Sequence, residues 1–176
     1  MGQKNITIYK KRAEFVDSKV LKIGNELITG KKIFICAGGR PFIPKIKGLE
    51  KVDYITSDEA LFLKKLPKKM AILGGGYISA ELCHLFSSLG VNVTIIYRGN
   101  KLLKHEDEEI SEKYTEIAFK KYSLMLNTDV IEVDKTGKNI LIKVNEKNKI
   151  KNLIVDSLLI TTGRTPNTDL LKVEKS

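Results

Sequence analysis

The 176-residue chain lies in the size range of one domain, and its 42% hydrophobic and 30% charged residues exclude a disordered tail. No run approaches the roughly 18 apolar residues that a membrane helix needs, so no membrane partner is expected. The formal charge is +10, with twelve basic against four acidic groups in residues 1–51; these lysines are singletons or pairs without a basic helix face or regular aromatic interleaving, which favours a solvated surface over a nucleic-acid track.

Residues 1–5 are not followed by the apolar core of a signal peptide. Two cysteines are too few for a disulfide framework, so a reducing, cytoplasmic setting is the default. With no CxxC pair and two histidines, no metal site is expected. Residues 6–9, 13–16 and 19–23 read as short strands, with a turn at Gly24-Asn25. A stronger strand, residues 32–36, would bury Cys36 and runs into Ala37-Gly38-Gly39-Arg40-Pro41. The following loop, with Pro44 and Gly48, reads as a linker.

From residue 52 the pattern alternates strand and helix. Thr56 and Glu59 are spaced as a capping box for a short helix through Leu63. Residues 70–73 form an apolar strand ending in Gly74-Gly75-Gly76. Ile78, Leu82, Leu85, Phe86 and Leu89 then make one stripe of a helix that Gly90 ends, with Cys83 packed in its core. Residues 91–97 are the next strand. The acidic residues 106–109 open a second helix, with Ile110, Tyr114, Ile117 and Ala118 as its stripe. Residues 123–126, 130–133, 140–144 and 150–155 read as an antiparallel meander, and 158–161 as a last buried strand ending at Gly163. The expected fold class is α/β: a Rossmann-like parallel sheet with helices on both faces plus an antiparallel β-meander, preceded by a β-rich segment.

Gly74-x-Gly76-x-x-Ser79 sits between a strand and an amphipathic helix, the context a dinucleotide-binding loop requires. Gly74 allows the tight turn, Gly76 lets a pyrophosphate approach the backbone, and small Ser79 permits close helix packing. The helix N-terminus supplies free N–H groups and positive potential. A ligand-free glycine turn is the alternative, but strand, helix and second strand together favour the dinucleotide. NAD sites usually carry Asp or Glu about 20 residues on, at the end of the second strand. Here that strand ends at Tyr97-Arg98, with no carboxylate between Val91 and His105, and Arg98, Lys101 and Lys104 cluster instead. A guanidinium can bond the 2′-phosphate of NADP bidentately, so NADP is preferred, with NAD the alternative. A solvated basic patch competes for Lys101 more than for Arg98, whose place the strand end fixes.

At these residues the chain resembles the FAD-dependent pyridine nucleotide-disulfide oxidoreductases, the family of glutathione reductase, dihydrolipoamide dehydrogenase, mercuric reductase and mycothione reductase. The resemblance rests on four stretches: 33–41 (IFICAGGRP), 72–81 (ILGGGYISAE), 89–94 (LGVNVT) and 162–167 (TGRTPN), and together they span almost the whole chain. Residues 98–105 and 114–118 are most similar to the mycothione reductase branch. The resemblance implies that Gly74, Gly75, Gly76, Tyr77, Ile78, Glu81, Arg98, Lys104, Gly163 and Arg164 bind the nicotinamide nucleotide. Tyr77 would gate the flavin, and Glu81 would lie near the carboxamide. Arg98 and Lys104 would take the 2′-phosphate, and Ala37 and Gly38 would contact FAD. It further implies residues 1–50 as a partial FAD-domain segment, 51–165 as the NAD(P)-binding domain and 166–176 as the return to the FAD domain.

The chain departs from the family pattern in several places. The family's own FAD-binding GxGxxG loop, its CxxxxC redox pair, its downstream Gly-Asp flavin loop and its His-Glu acid–base pair do not occur here, and Ala37 replaces a threonine. Cys36 and Cys83, 47 residues apart, are not the redox pair. The expectation is therefore a fragment or truncation, catalytically inactive alone, of a homodimeric enzyme. That enzyme would pass hydride from NADPH to FAD to a cysteine disulfide and then to a small disulfide-type substrate. The rivals are a free-standing nucleotide-binding or interaction module and, through the basic N-terminal third, nucleic-acid binding.

Overall fold

The computed structural model describes residues 5–176, and the chain divides into two compact units, one up to Arg40 plus Thr165–Ser176 and a larger one, Pro41–Arg164. In the smaller unit β1 (Ala13–Asp17), β2 (Val20–Ile23) and β3 (Glu26–Thr29) form an antiparallel sheet in that order. Phe15 and Ile23 are its buried residues. The segment after Pro166 is tied back by polar contacts. Arg40 binds Asp169 through both nitrogens (3.0 and 2.7 Å) and Asn167 Oδ1 at 3.0 Å. Lys172 pairs with Glu14 at 2.7 Å, and Arg12 Nη2 donates to the Leu170 carbonyl at 3.0 Å.

Two expectations fail in this unit. Residues 6–9 and 32–36 are not strands, and Cys36 is exposed rather than buried. Phe34 is 84% exposed. The β-propensity is present, but a strand needs a neighbour for its backbone groups, and the 32–36 segment has no ladder partner among the described residues.

The chain leaves this unit through β4 (Gly39–Pro41) and builds β5 (Tyr54–Thr56), α1 (Ser57–Ala60), β6 (Lys69–Leu73), α2 (Tyr77–Ser88) and β7 (Asn92–Ile96). It continues with α3 (Glu108–Lys121), β8 (Ser123–Met125), β9 (Thr128–Thr136), β10 (Asn139–Glu146), β11 (Lys149–Val155) and β12 (Ser157–Ile160), and returns through β13 (Arg164–Pro166), paired with β4. The larger unit opens at Pro41, and Leu49 and Val52 are buried in its core. The Thr56–Glu59 capping box forms, and α1 stops at Ala60, short of Leu63.

Five parallel strands lie in the order β5-β12-β6-β7-β8. Strand residues alternate between two faces. Met70, Ile72, Val93, Ile95 and Leu159 meet Leu82, Cys83 and Phe86 of α2 and Ala118 of α3. Ala71, Leu73, Ile96, Leu158 and Ile160 meet Val133, Ile140, Ile142 and Val144 of the β9-β10-β11 meander. The fold is the expected α/β class with a parallel sheet and an antiparallel meander. One detail differs: the second face is covered by strands, not helices. Residues 123–126, expected in the meander, instead give β8 as the parallel neighbour of β7.

Both helix stripes are borne out in part: Leu82 and Phe86 of α2 and Ala118 of α3 are buried, and Ile78 and Tyr114 pack against the core. In α2 the buried face is Ser79, Leu82, Cys83 and Phe86, leaving Leu85 and Leu89 exposed. In α3 it is Ser111, Thr115 and Ala118, leaving Ile110 and Ile117 outside. Gly90 ends α2 at φ 84°, as a C-terminal glycine does.

Candidate functional site

Strand β6 is central, flanked by β12 and β7, and open α/β sheets bind ligands beyond the carboxyl ends of such strands. Three chain segments emerge there. After β6 comes Gly74, held by its N–H to the Ile96 carbonyl at 3.0 Å. Its φ of 140° favours glycine, and a β-carbon would stand 2.5 Å from the Thr161 carbonyl oxygen. Gly75 lies beneath the Tyr97 ring. Gly76 is the N-cap of α2 at φ −91°, ψ −173°, a conformation open to any residue, and a β-carbon there would meet nothing within 4 Å. Neither backbone nor packing therefore requires glycine at 76. Its missing side chain keeps space clear in front of the helix.

That helix tip has no side-chain cap and no acid in its first turn, so no side chain takes up its leading N–H groups. Ser79, 1% exposed, donates its hydroxyl to the Gly74 carbonyl at 3.0 Å and locks turn to helix.

The space is a cavity of about 550 Å³, within the range of small-molecule sites. Gly74, Gly75, Gly76, Tyr77 and Ile78 form one wall, Tyr97, Arg98, Leu103, Lys104, His105 and Glu106 a second, and Thr161, Thr162, Gly163 and Arg164 a third. Nine of the ten residues expected to bind the nucleotide line this cavity, among them Arg164, which stands 3.5 Å from Asp58. Glu81 does not: it is exposed on α2, away from the lining. Ala37 and Gly38 belong to the smaller unit, where the Ala37 carbonyl accepts from Asn167 Nδ2 at 2.9 Å.

The basic residues sort by their partners. Lys101 is engaged by Glu108 at 2.8 Å and Glu112 at 3.9 Å, and it does not line the cavity. The hydrogen bond to Glu108 raises the Lys101 pKa and lowers that of Glu108. Arg98 and Lys104 line the cavity, and neither forms an ion pair among the described residues. Two cationic side chains, an uncapped helix tip and a glycine-floored opening suit a polyanion with an apolar body.

Sequence reasoning missed Thr161, whose hydroxyl donates to the Leu73 carbonyl at 3.0 Å beside the glycine turn. It also missed Thr128, Asp129 and Val130, which reach the cavity because the β8–β9 turn bonds back to Tyr97 and Gly99. No motif flags such positions, since their place depends on β8 lying beside β7. Among the described residues no group of His, Cys, Asp and Glu could hold a metal, and no helix is long and apolar enough to cross a membrane.

A family model described as pyridine nucleotide-disulphide oxidoreductase matches residues 1–176. The chain belongs to this family. Within it, the chain is 39% identical over 168 residues to a mercuric reductase of Staphylococcus aureus, covering 93% of this chain and 30% of the relative. It is 36% identical over 178 residues to a mycothione reductase of Mycobacterium tuberculosis, covering 98% and 38%. The solved HOCl-induced flavoprotein disulfide reductase RclA from Escherichia coli superposes with a TM-score of 0.78 at 33% identity, over 94% of this chain and 38% of that one. The chain thus spans well under half the length of these relatives. Members of the family use FAD and a nicotinamide nucleotide.

Proposed function

We propose that residues 41–164 bind NADP(H) in the cleft between the glycine turn and the Arg98–Lys104 loop. The protein they serve would be a flavoprotein that passes hydride from NADPH to FAD, then to a cysteine disulfide and a small disulfide-type substrate. The observation that carries this reading is Gly76: a glycine that neither fold nor backbone demands, at an uncapped helix tip, opening into a cavity. In this assignment the α2 N–H groups and Gly76 hold the diphosphate. Arg98 and Lys104 grip the 2′-phosphate, which a carboxylate there would repel. Tyr77, Gly163 and Arg164 line the nicotinamide end, on the β12 side of the turn. Bound there, the reduced nicotinamide supplies the hydride, and the protein supplies binding and orientation.

The smaller unit, with Ala37 and Gly38, is assigned to the flavin-binding half of that protein, and residues 41–164 to its nicotinamide-binding domain. Cys36 and Cys83 take no part as a redox pair; Cys83 is buried and Cys36 exposed, each free.

The test is an equilibrium titration of the purified chain with NADPH and NADH, followed by nicotinamide fluorescence. Saturable binding, tighter for NADPH, is expected. Absence of saturation with either nucleotide refutes the site, and tighter NADH binding refutes the 2′-phosphate assignment.

A further inference from the structure

The hydroxyls of α3 fix the loop that carries Lys104. This helix turns Ser111 (1% exposed) and Thr115 (8%) inward while leaving Ile110 (57%) in solvent, the reverse of an ordinary amphipathic arrangement. Both hydroxyls converge on one residue outside the helix. Thr115 Oγ1 accepts from the Leu102 N–H at 2.9 Å and donates to the Ser111 carbonyl at 2.7 Å. Ser111 Oγ donates to the Leu102 carbonyl at 2.5 Å. The two backbone polar groups of buried Leu102 are thereby satisfied by side chains of α3.

The next residue shows what this anchoring supports. Leu103 has φ 54°, a left-handed conformation that a branched apolar residue rarely adopts, and such strain persists only where surrounding contacts over-determine it. Its N–H donates to the Gly75 carbonyl at 2.7 Å, and Lys104 follows directly into the cavity lining. The chain order is therefore anchor (Leu102), strained link (Leu103), cation (Lys104). Besides that bond from Leu103, the glycine turn has supports outside the loop: Gly74 N–H on Ile96, Ser79 on Gly74, and the Tyr97 ring over Gly75.

We propose that Thr115 and Ser111 are positioning residues that set the preference for NADPH over NADH by holding the 98–107 loop, and hence Lys104, in place. The inference rests on the nucleotide reading above. Loss of the Thr115 hydroxyl strands the buried Leu102 N–H, and the strained Leu103 link offers the easiest release. Lys104 then leaves its place, while the diphosphate turn gives up its bond from Leu103 and is kept by Ile96 and Ser79.

The test is titration of the wild-type chain, Thr115→Val, Thr115→Ser and Ser111→Ala with NADPH and with NADH. Thr115→Val should weaken NADPH by about tenfold and leave NADH unchanged, and Thr115→Ser, which keeps the hydroxyl, should restore the preference. Equal weakening of both nucleotides means a merely structural role and overturns the proposal, as does an unchanged ratio. In either case wild-type selectivity for NADPH leaves the site assignment standing. A wild-type chain that binds neither nucleotide, or prefers NADH, removes the assignment itself and the proposal with it. Should Thr115→Val not fold, Ser111→Ala decides on the same criteria, since it removes the bond to the Leu102 carbonyl alone.

Discussion

The Tyr97 ring lies so close over Gly75 that a β-carbon there would stand 2.6 Å from its Cγ and Cδ1, whereas one on the adjacent Gly76 would touch nothing within 4 Å. Two neighbouring glycines thus answer different demands, one to packing and one to open space. Gly75→Ala forces the ring to move and should cost about 1–3 kcal/mol of stability, typical of overpacking. Gly76→Ala should cost at most about 1 kcal/mol, because alanine is a poorer N-cap than glycine. Its effect falls on binding, since the methyl enters the space reserved for the diphosphate. Thermal unfolding and NADPH titration of both variants check this. At about 2–4 °C per kcal/mol, the larger fall in melting temperature belongs to Gly75→Ala and the larger loss of affinity to Gly76→Ala; the reverse pattern would contradict the assignment.

The three basic residues after β7 should separate cleanly. Arg98→Ala removes a charge-assisted contact and should cost about 1.5–3 kcal/mol of NADPH binding with little effect on NADH. Lys104→Ala should act in the same direction. Lys101→Ala should leave both affinities unchanged, because that ammonium is committed to Glu108 and Glu112 on α3 and lies off the cavity. Titrations at two salt concentrations strengthen the comparison: selectivity carried by the 2′-phosphate contacts falls as ionic strength rises. A Lys101→Ala loss equal to that of Lys104→Ala would show that the loop acts as a diffuse basic patch.

Much of the larger unit was legible in the sequence because its determinants are local. The glycine turn, the capping box at Thr56, the Gly90 stop and the alternation of strands with helices each rest on a few adjacent residues. What escaped depends on distant neighbours. The strand pattern of 32–36 is as strong as that of β6, but β6 has two flanking strands and 32–36 has no ladder partner. On α3 the apolar spacing points to Ile110, Tyr114, Ile117 and Ala118, of which the isoleucines are exposed, whereas the buried face also uses Ser111 and Thr115 to satisfy Leu102. Small residues at i, i+4 and i+7, ending at Ala118, were the available signal. In the site, the glycines and the cations that follow β7 were visible as motif and spacing. Thr161 and the Thr128–Val130 corner reach the cavity only through strand order.

Thiol chemistry should report the environments of the two cysteines. Cys83 is fully buried between α2 and the sheet, and burial pushes its thiol pKa up to about 12. Cys36 is exposed. A thiol reagent applied to the native chain near neutral pH should therefore modify Cys36 alone, with Cys83 reacting only after denaturation. Mass spectrometry of the digested product assigns the label. The sign of the pH effect follows: the unfolded chain loses the Cys83 proton at lower pH than the folded chain. Its contribution to stability is therefore intact below the ordinary thiol value of 9.0 and declines as pH rises toward about 12. Rapid native labelling of Cys83 would show that α2 opens locally.

The α3 surface offers an opposite test at acid pH. Glu116 accepts from Lys120 at 2.7 Å and from Lys113 at 3.0 Å, and these bonds, Lys120 first, hold its carboxyl near pKa 2 rather than the ordinary 4.5. A carboxylate with a depressed folded-state pKa adds stability above its ordinary value and loses it as pH falls through the folded one. The three side chains are exposed, so the contribution is small and screened by salt. Glu116→Gln should accordingly melt slightly below wild type at neutral pH. The gap should close as pH falls from 4.5 toward 2 and narrow in high salt at neutral pH. Paired melting curves across that range measure it. A gap that persists unchanged at the acid end would mean that the side chain stabilises α3 through packing or helix propensity, and that the charged pairs with Lys113 and Lys120 contribute nothing.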